Sequence, residues 1–368
     1  MMAQKSITTG YSKNGKGQRS TFILLILFLI VFIVFSIGCS VSIGQVSISL
    51  TDTFRILLYK GSGMRIGSLD GIAQASFADI IWHIRMPRAL MSMLIGAGLS
   101  LCGVVIQASV QNPLADPYIL GISSGGALGA TFAILLGFSV PGVLGQMGVA
   151  VWAFAGAFGA ALLVLAVAGA KGKVTSVKLV LAGMVINALC NSFSNFIVYF
   201  ANNSEGIKTV TFWTMGSIAS ATWDKLPLVG VSIIAASLFF LTQSRVLNTM
   251  LLGSEAAVTL GISLNRYLRV FMLVSALVTG MIVASCGTIG FVGLIIPHIV
   301  RGVMGSDHKR LVPVSILFGS VFLIWADILA RTLIPQSELP IGIITSMIGA
   351  PMFMYMLMKK GYGFGGRN

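Results

Sequence analysis

The sequence predicts an all-α polytopic membrane protein of about ten transmembrane helices with a weak inverted repeat. Three observations carry that prediction. Hydrophobic residues make up 56% of the 368 and charged residues only 9%, whereas soluble domains carry about 25% charged residues. Mean hydropathy is +0.95. The apolar residues also fall in runs of about 17–25, the length that crosses a bilayer. Lysines and arginines gather between the runs. The formal charge of +14 could suggest nucleic acid, but no basic stripe with interleaved aromatics is present. Orientation of the spans accounts for it better, and no nucleic-acid partner is expected.

Taken in order, residues 1–20 are a polar tail with Lys5, Lys13, Lys16 and Arg19. The first span is 21–37, too long for a signal-peptide apolar core and without a small-residue cleavage site. Residues 43–88 are too polar to cross and suit short helices on the outer surface. Span two is 89–109 and stops at QNPLADP, whose two prolines forbid a continuing helix. Span three starts near Tyr118 and holds GISSGGALGA; span four is 146–170, and span five is 175–200. A polar, then amphipathic stretch at 201–225 precedes span six at 226–241. Span seven is 268–286. GTIGFVGLIIPHIVRGVMG, interrupted by Pro297, counts as span eight. Spans nine and ten are 311–333 and 340–358. In both halves a glycine-rich span leads to a proline-interrupted segment, and a displacement of five spans inverts orientation, as in transporter repeats.

With ten spans both termini share one side. That side holds 16 of the 24 Lys and Arg, so the positive-inside rule makes it cytoplasmic. The expected organisation is a cytoplasmic tail at 1–20, one ten-helix membrane domain at 21–358 with a cytoplasmic loop at 245–268, and a tail at 359–368.

Within that loop GSEAAVTLGI at 253–262 is about half a crossing long and too polar to span. Leu252, Ala256, Ala257 and Leu260 share a helical face in the heptad sense. The expectation is a short amphipathic helix beside the membrane, offering a surface to a soluble partner.

No enzyme constellation is present. GKGQRS in the tail lacks the strand and spacing of a phosphate loop. His83, His298 and His308 are far apart, and Cys39, Cys102, Cys190 and Cys286 are single residues in apolar surroundings. The 18 methionines are spread through every span as packing filler. An intramembrane carboxylate is the usual mark of an ion-coupled carrier. Asp327 is the clearest one, and Arg331 stands one turn on, spaced for an ion pair. Asp307 is placed to cap span nine as readily as to act.

The stretch IRMPRALMSMLIGAGLSLCGVVIQASVQNPLADPYILGISSGGALGA at 84–130 resembles the signature region of the FecCD-type permeases. These are the transmembrane subunits of type II ABC importers for ferric siderophores, haem and cobalamin. GTIGFVGLIIPHIVR, DHKRLVP, ADILAR and ELPIGIITSMIGAPMF extend the likeness from about residue 80 to the C-terminus. The resemblance implies a cell-membrane permease pairing with a second permease, either another copy or a related one, with two ABC ATPase subunits and with an extracytoplasmic substrate-binding protein. Catalytic, cofactor and metal residues are expected to be none on this chain, with ATP and Mg held by the ATPases. It implies ATPase coupling through Gly253, Glu255, Ala256, Leu260 and Gly261. It also implies binding-protein docking through Arg85, Arg88 and Arg331, and a cytoplasmic gate at Asn112, Leu114, Thr175 and Ser176. Simpler roles stand beside these: span anchoring for Arg85 and Arg88, pairing with Asp327 for Arg331, capping for Thr175. The expected cargo is an iron chelate or haem. Cobalamin or another metal chelate is the first alternative, and an ion-coupled secondary carrier is the alternative from another class.

Overall fold

The computed structural model describes residues 10–63, 69, 72, 74, 76–137, 148–170, 172 and 174–359. Among them the regular elements are helices: α1 (Gly10–Ser42), α2 (Leu50–Gly61), α3 (Ser76–Asp79), α4 (Met86–Val110), α5 (Ile122–Leu136), α6 (Gly148–Gly169), α7 (Ser176–Phe200), α8 (Ser204–Thr214), α9 (Leu226–Thr242), α10 (Ser244–Met250), α11 (Ser254–Thr259), α12 (Leu264–Cys286), α13 (Val292–Met304), α14 (His308–Thr332) and α15 (Ile341–Lys359). Six helical stretches are long and apolar enough to cross a membrane. The pair α9–α10, bent by 64°, adds a seventh. With the shorter apolar helices α5, α13 and α15, this matches the ten-span expectation.

Several boundaries differ from the sequence reading, each for a local reason. Helix α1 starts at Gly10, inside the stretch read as a tail. Span two starts at Ser76 rather than 89, because α3, a π-helical turn at Ile80–Arg85 and α4 run on as one helix. Pro87 has no N–H for the usual bond one turn back. The wide turn, in which the Met86 N–H reaches Ile81 O, carries the chain past it without a break. Span three starts at Ile122 because Asp116 accepts from the Tyr118 N–H and opens a 3-10 turn at Pro117–Leu120 first. Span nine starts at His308, capped by Asp307, whose carboxylate accepts from the Lys309 N–H. The outer helices expected before span two are present as α2, N-capped by Ser49. Residues 1–9 and 360–368, with Arg65, Lys171 and Lys173, lie outside the described residues.

Helix α4 is the axis of the molecule, with nearly every side chain from Ile95 to Val110 buried. Glycine makes this possible. A Cβ on Gly96 would stand 2.2 Å from the Gly319 carbonyl oxygen, and one on Gly103 only 1.9 Å from that of Gly293. So α4 touches α14 and α13 backbone to backbone, the close approach small residues allow between membrane helices. Helices α5 and α6 meet the same way, through Gly125, Gly129 and Gly156. The pairing is exchanged between halves: α4 packs on α13 and α14, and α12 packs on α5 and α6. This is the arrangement a two-half repeat calls for.

Two ends of the bundle can be told apart by their bonds. At one, Arg331 near the end of α14 bonds Ser40 near the end of α1, and Arg88 in the first turn of α4 pairs with Asp327. At the other, Gln111 after α4 donates to Met250 O, and Asn248 of α10 accepts from the His308 N–H. Val174 before α7 donates to the Asn265 side chain of α12 there as well.

Candidate functional site

The first end is built around one carboxylate. Asp327 is fully buried one turn before Arg331 on α14. Its Oδ1 lies 2.9 Å from Arg88 Nε, and its Oδ2 lies 3.1 Å from Arg331 Nε. The ion pair expected from the four-residue spacing is therefore present, with a second arginine that the spacing could not reveal. Arg88 Nη1 reaches on to Glu338 Oε2 at 2.8 Å. Arg331 Nη2 donates to the Ser40 carbonyl and hydroxyl at 3.0 and 2.9 Å. Arg85 donates to the backbone carbonyls of Val41, Ser42 and Val46. Gln45 closes the far side, donating to the carbonyls of Arg331, Ile334 and Ser337.

All three arginines expected to face a docking partner are gathered at one end, which fits that reading. All three are also buried and bonded inward, which was not expected. The reason is structural: α1, the loop after it, α4 and the 333–340 loop converge there. Glu338 is the one acid of the cluster with substantial exposure, at 41% of its side chain. Sequence reasoning missed Glu338, Gln45 and Ser40, since the partners lie hundreds of residues apart along the chain.

The second end carries α11. Ala257 is fully buried and seats the helix, while Glu255 is exposed and Ala256 half-buried. Leu252, Val258 and Leu260 are all exposed. This corrects the expected apolar face. The helix has six residues, so Leu252 precedes it and Leu260 caps it, and neither follows the helical wheel. Gly253 and Gly261 turn the chain at the two ends with φ of +100° and +81°, a left-handed region that other residues rarely adopt. The result is a knuckle with three outward apolar side chains and one outward carboxylate.

The four gate positions lie at this same end, where α4 stops and α7 begins. Gln111 adopts φ +55° and ends α4. Asn112 then accepts from the Leu114 N–H in an Asx turn at 2.9 Å. Thr175 accepts from the Lys178 N–H as the N-cap of α7, with Ser176 the first residue of the helix. The capping role weighed for Thr175 is thus present.

Between the ends, buried Gln107 of α4 donates to the Gly293 and Leu294 carbonyls of α13 and accepts from Arg301 at 3.1 Å. The Ile289 N–H donates to the Tyr118 hydroxyl. Neither contact was legible in sequence. The four cysteines are free thiols, three of them buried.

The uncharacterised ABC transporter permease protein YvrB of Bacillus subtilis is 36% identical over 345 residues, covering 94% of this chain and 95% of that one. The hemin transport system permease protein HmuU of Yersinia pestis is 34% identical over 351 residues, with 94% and 98% covered. The cobalamin import system permease protein BtuC of Halobacterium salinarum is 40% identical over 281 residues, with 76% and 74% covered. A solved inward-facing ABC transporter assigned to the metal-chelate type superposes with a TM-score of 0.77 at 30% identity, covering 91% of this chain and 99% of that one. The family description extends across residues 24–359, through α4, the knuckle and the arginine cluster alike, and the protein belongs to the FecCD transport family.

Proposed function

We propose that this chain is the permease subunit of a binding-protein-dependent ABC importer that carries an iron chelate or haem. The observation that carries the proposal is α11, a short helix seated on the bundle by one buried alanine and presenting Leu252, Glu255, Val258 and Leu260 outward. A surface of that size and mixed chemistry suits a groove on a soluble partner. The chain carries no phosphate loop of its own. On this reading ATP and magnesium are held by two ATPase subunits beneath α11, and the excess of Lys and Arg in the loops and tails of that side of the sequence supports a cytoplasmic orientation. The arginine end then faces out, towards a substrate-binding protein. Two copies of the chain would enclose the route, and the breaks at Asn112–Leu114 and Thr175–Ser176 would open and close its inner end.

Relatives named for hemin and for iron(3+)-hydroxamate import support chelate cargo. A cobalamin relative keeps the same machine for corrinoids as the alternative. An ion-coupled carrier is less well supported. Asp327 is the only fully buried carboxylate among the described residues, and two arginines already neutralise it.

The test is Glu255→Arg with co-purification and uptake as readouts. The expected outcome is loss of ATPase assembly, or hydrolysis no longer coupled to uptake. Unchanged assembly and transport would remove α11 from the coupling role.

A further inference from the structure

Helix α7 crosses the membrane with two unlike exposed flanks. Its buried seam is Leu179, Ala182, Gly183, Ile186 and Cys190. On one side of that seam Leu181, Val185, Leu189 and Phe196 are exposed. On the other, Asn187, Asn191 and Asn195 are exposed at successive four-residue steps, with exposed Val177 and Met184 preceding them on the same flank towards the start of the helix. The asparagine ladder covers ~12 Å of helix at 1.5 Å per residue and lies in the middle and second half of the span. Among the described residues its one side-chain hydrogen bond is a long one of 3.4 Å from Asn191 to Asn187. Most of the amide donors and acceptors are thus offered outward.

Hydrocarbon cannot be what meets them, because an amide without partners is expensive in lipid. The mid-span exposed residues of α1, α6 and α9 are leucine, isoleucine, valine, phenylalanine and alanine, as lipid contact requires. A second observation places a break in regular structure beside the ladder. The turn at Gly121, with φ +73°, precedes α5, and a Cβ there would stand 3.6 Å from the Asn187 backbone nitrogen. Non-helical backbone at membrane depth is stable where it is buried in protein or lines water, and discontinuous spans mark solute sites in transporters.

We infer that the α7 flank carrying Asn187, Asn191 and Asn195 lines a water-filled route and hydrogen-bonds, step by step, a solute whose rim presents oxygen atoms. This rests on the importer reading. Amides suit the task because each both donates and accepts without charge. Carboxylate, hydroxamate or amide oxygens can be held at one step and released to the next, since conduction needs sites weak enough to leave.

The test is thiol accessibility in the assembled transporter, with the parent protein as blank for its own cysteines. A thiol in hydrocarbon stays protonated and unreactive, so Asn187→Cys, Asn191→Cys and Asn195→Cys should react with a membrane-impermeant thiosulfonate at least about tenfold faster than Leu181→Cys, Val185→Cys and Phe196→Cys. Equal rates on the two flanks would overturn the proposal. So would protection of the asparagine flank with disulfide-linked dimers on oxidation, which would make it a contact between two copies. In proteoliposomes with the partner subunits, the triple Asn→Leu variant should lose most uptake of whichever of haemin, a ferric trihydroxamate or a corrinoid the parent carries. Unchanged uptake would overturn the solute contact. If the parent carries none of the three, the chelate-importer reading falls, while the labelling pattern still decides the route.

Discussion

Asp327→Asn tests the charge cluster at its centre. The substitution keeps the shape of the side chain and removes the one buried negative charge that Arg88 and Arg331 share at 2.9 and 3.1 Å. At an effective dielectric of 20 and about 4 Å between charge centres, each attraction is worth about 4 kcal/mol gross. Desolvation offsets much of that in the native state. Deleting the shared partner leaves the arginines buried, desolvated and facing each other. Breaking a buried pair this way typically costs about 3–5 kcal/mol. The lower half of that range is expected, because Glu338 and the Ser40 oxygens still accept from the two guanidinium groups. The assay is reversible unfolding in mixed micelles of rising SDS content, followed by reactivity of the buried thiols Cys102, Cys190 and Cys286. A triple variant, Arg88→Met with Asp327→Leu and Arg331→Met, should recover most of the loss, as apolar replacement of buried ion networks does elsewhere. A stability within about 1 kcal/mol of the parent for Asp327→Asn alone would refute the reasoning.

Glu338→Gln removes a partly exposed charge worth only about 0–1 kcal/mol. It frees one arm of Arg88, so affinity for the substrate-binding protein should rise with no change in folding; equal affinity would return Arg88 to a purely structural role. Charge reversal at Arg88 itself would break a buried pair and confound docking with stability. Gly103→Ala should destabilise by at least about 1–3 kcal/mol, since the added carbon itself overlaps the Gly293 carbonyl and no rotamer relieves it. Gly159→Ala meets nothing within 4 Å and serves as the tolerated control in size-exclusion profiles. At Asp307 burial raises the carboxyl pKa, but the Asn248 amide, the Lys309 N–H and the charges of Arg310 and Lys309 together hold it below the ordinary range. Its contribution should therefore be complete above about pH 4 and fade as pH falls through the lower native value. Hydrogen exchange at the start of α14 should show that slope in the parent and lose it in Asp307→Ala.

Legibility followed the range of the interactions. The spans were readable because lipid imposes length and apolarity locally. The Asp307 cap, the Thr175 cap and the Asp327–Arg331 pair were readable because each lies within four residues. Helix α11 was placed correctly, but its outward leucines were misassigned because a six-residue helix has no complete face. The burial of Arg85, Arg88 and Arg331 was not readable. Their partners Val41, Glu338 and Ser40 come from loops that only the folded bundle brings together. The start of the helix through α4 was missed because residues 43–88 read as too polar to cross, and only the folded bundle shows Arg85 and Arg88 bonded inward along that helix.

The glycine contacts of α4 also constrain how this protein can move. Side chains that interdigitate can change rotamer and let two helices slide, but backbones already touching at Gly96–Gly319 and Gly103–Gly293 have nothing left to rearrange. Shear along those seams is therefore closed to the molecule. Helices α4, α13 and α14 are therefore expected to travel as one block, with reorientation absorbed where backbone leaves regular structure, as at Gln111–Gly121 and at the bend between α9 and α10.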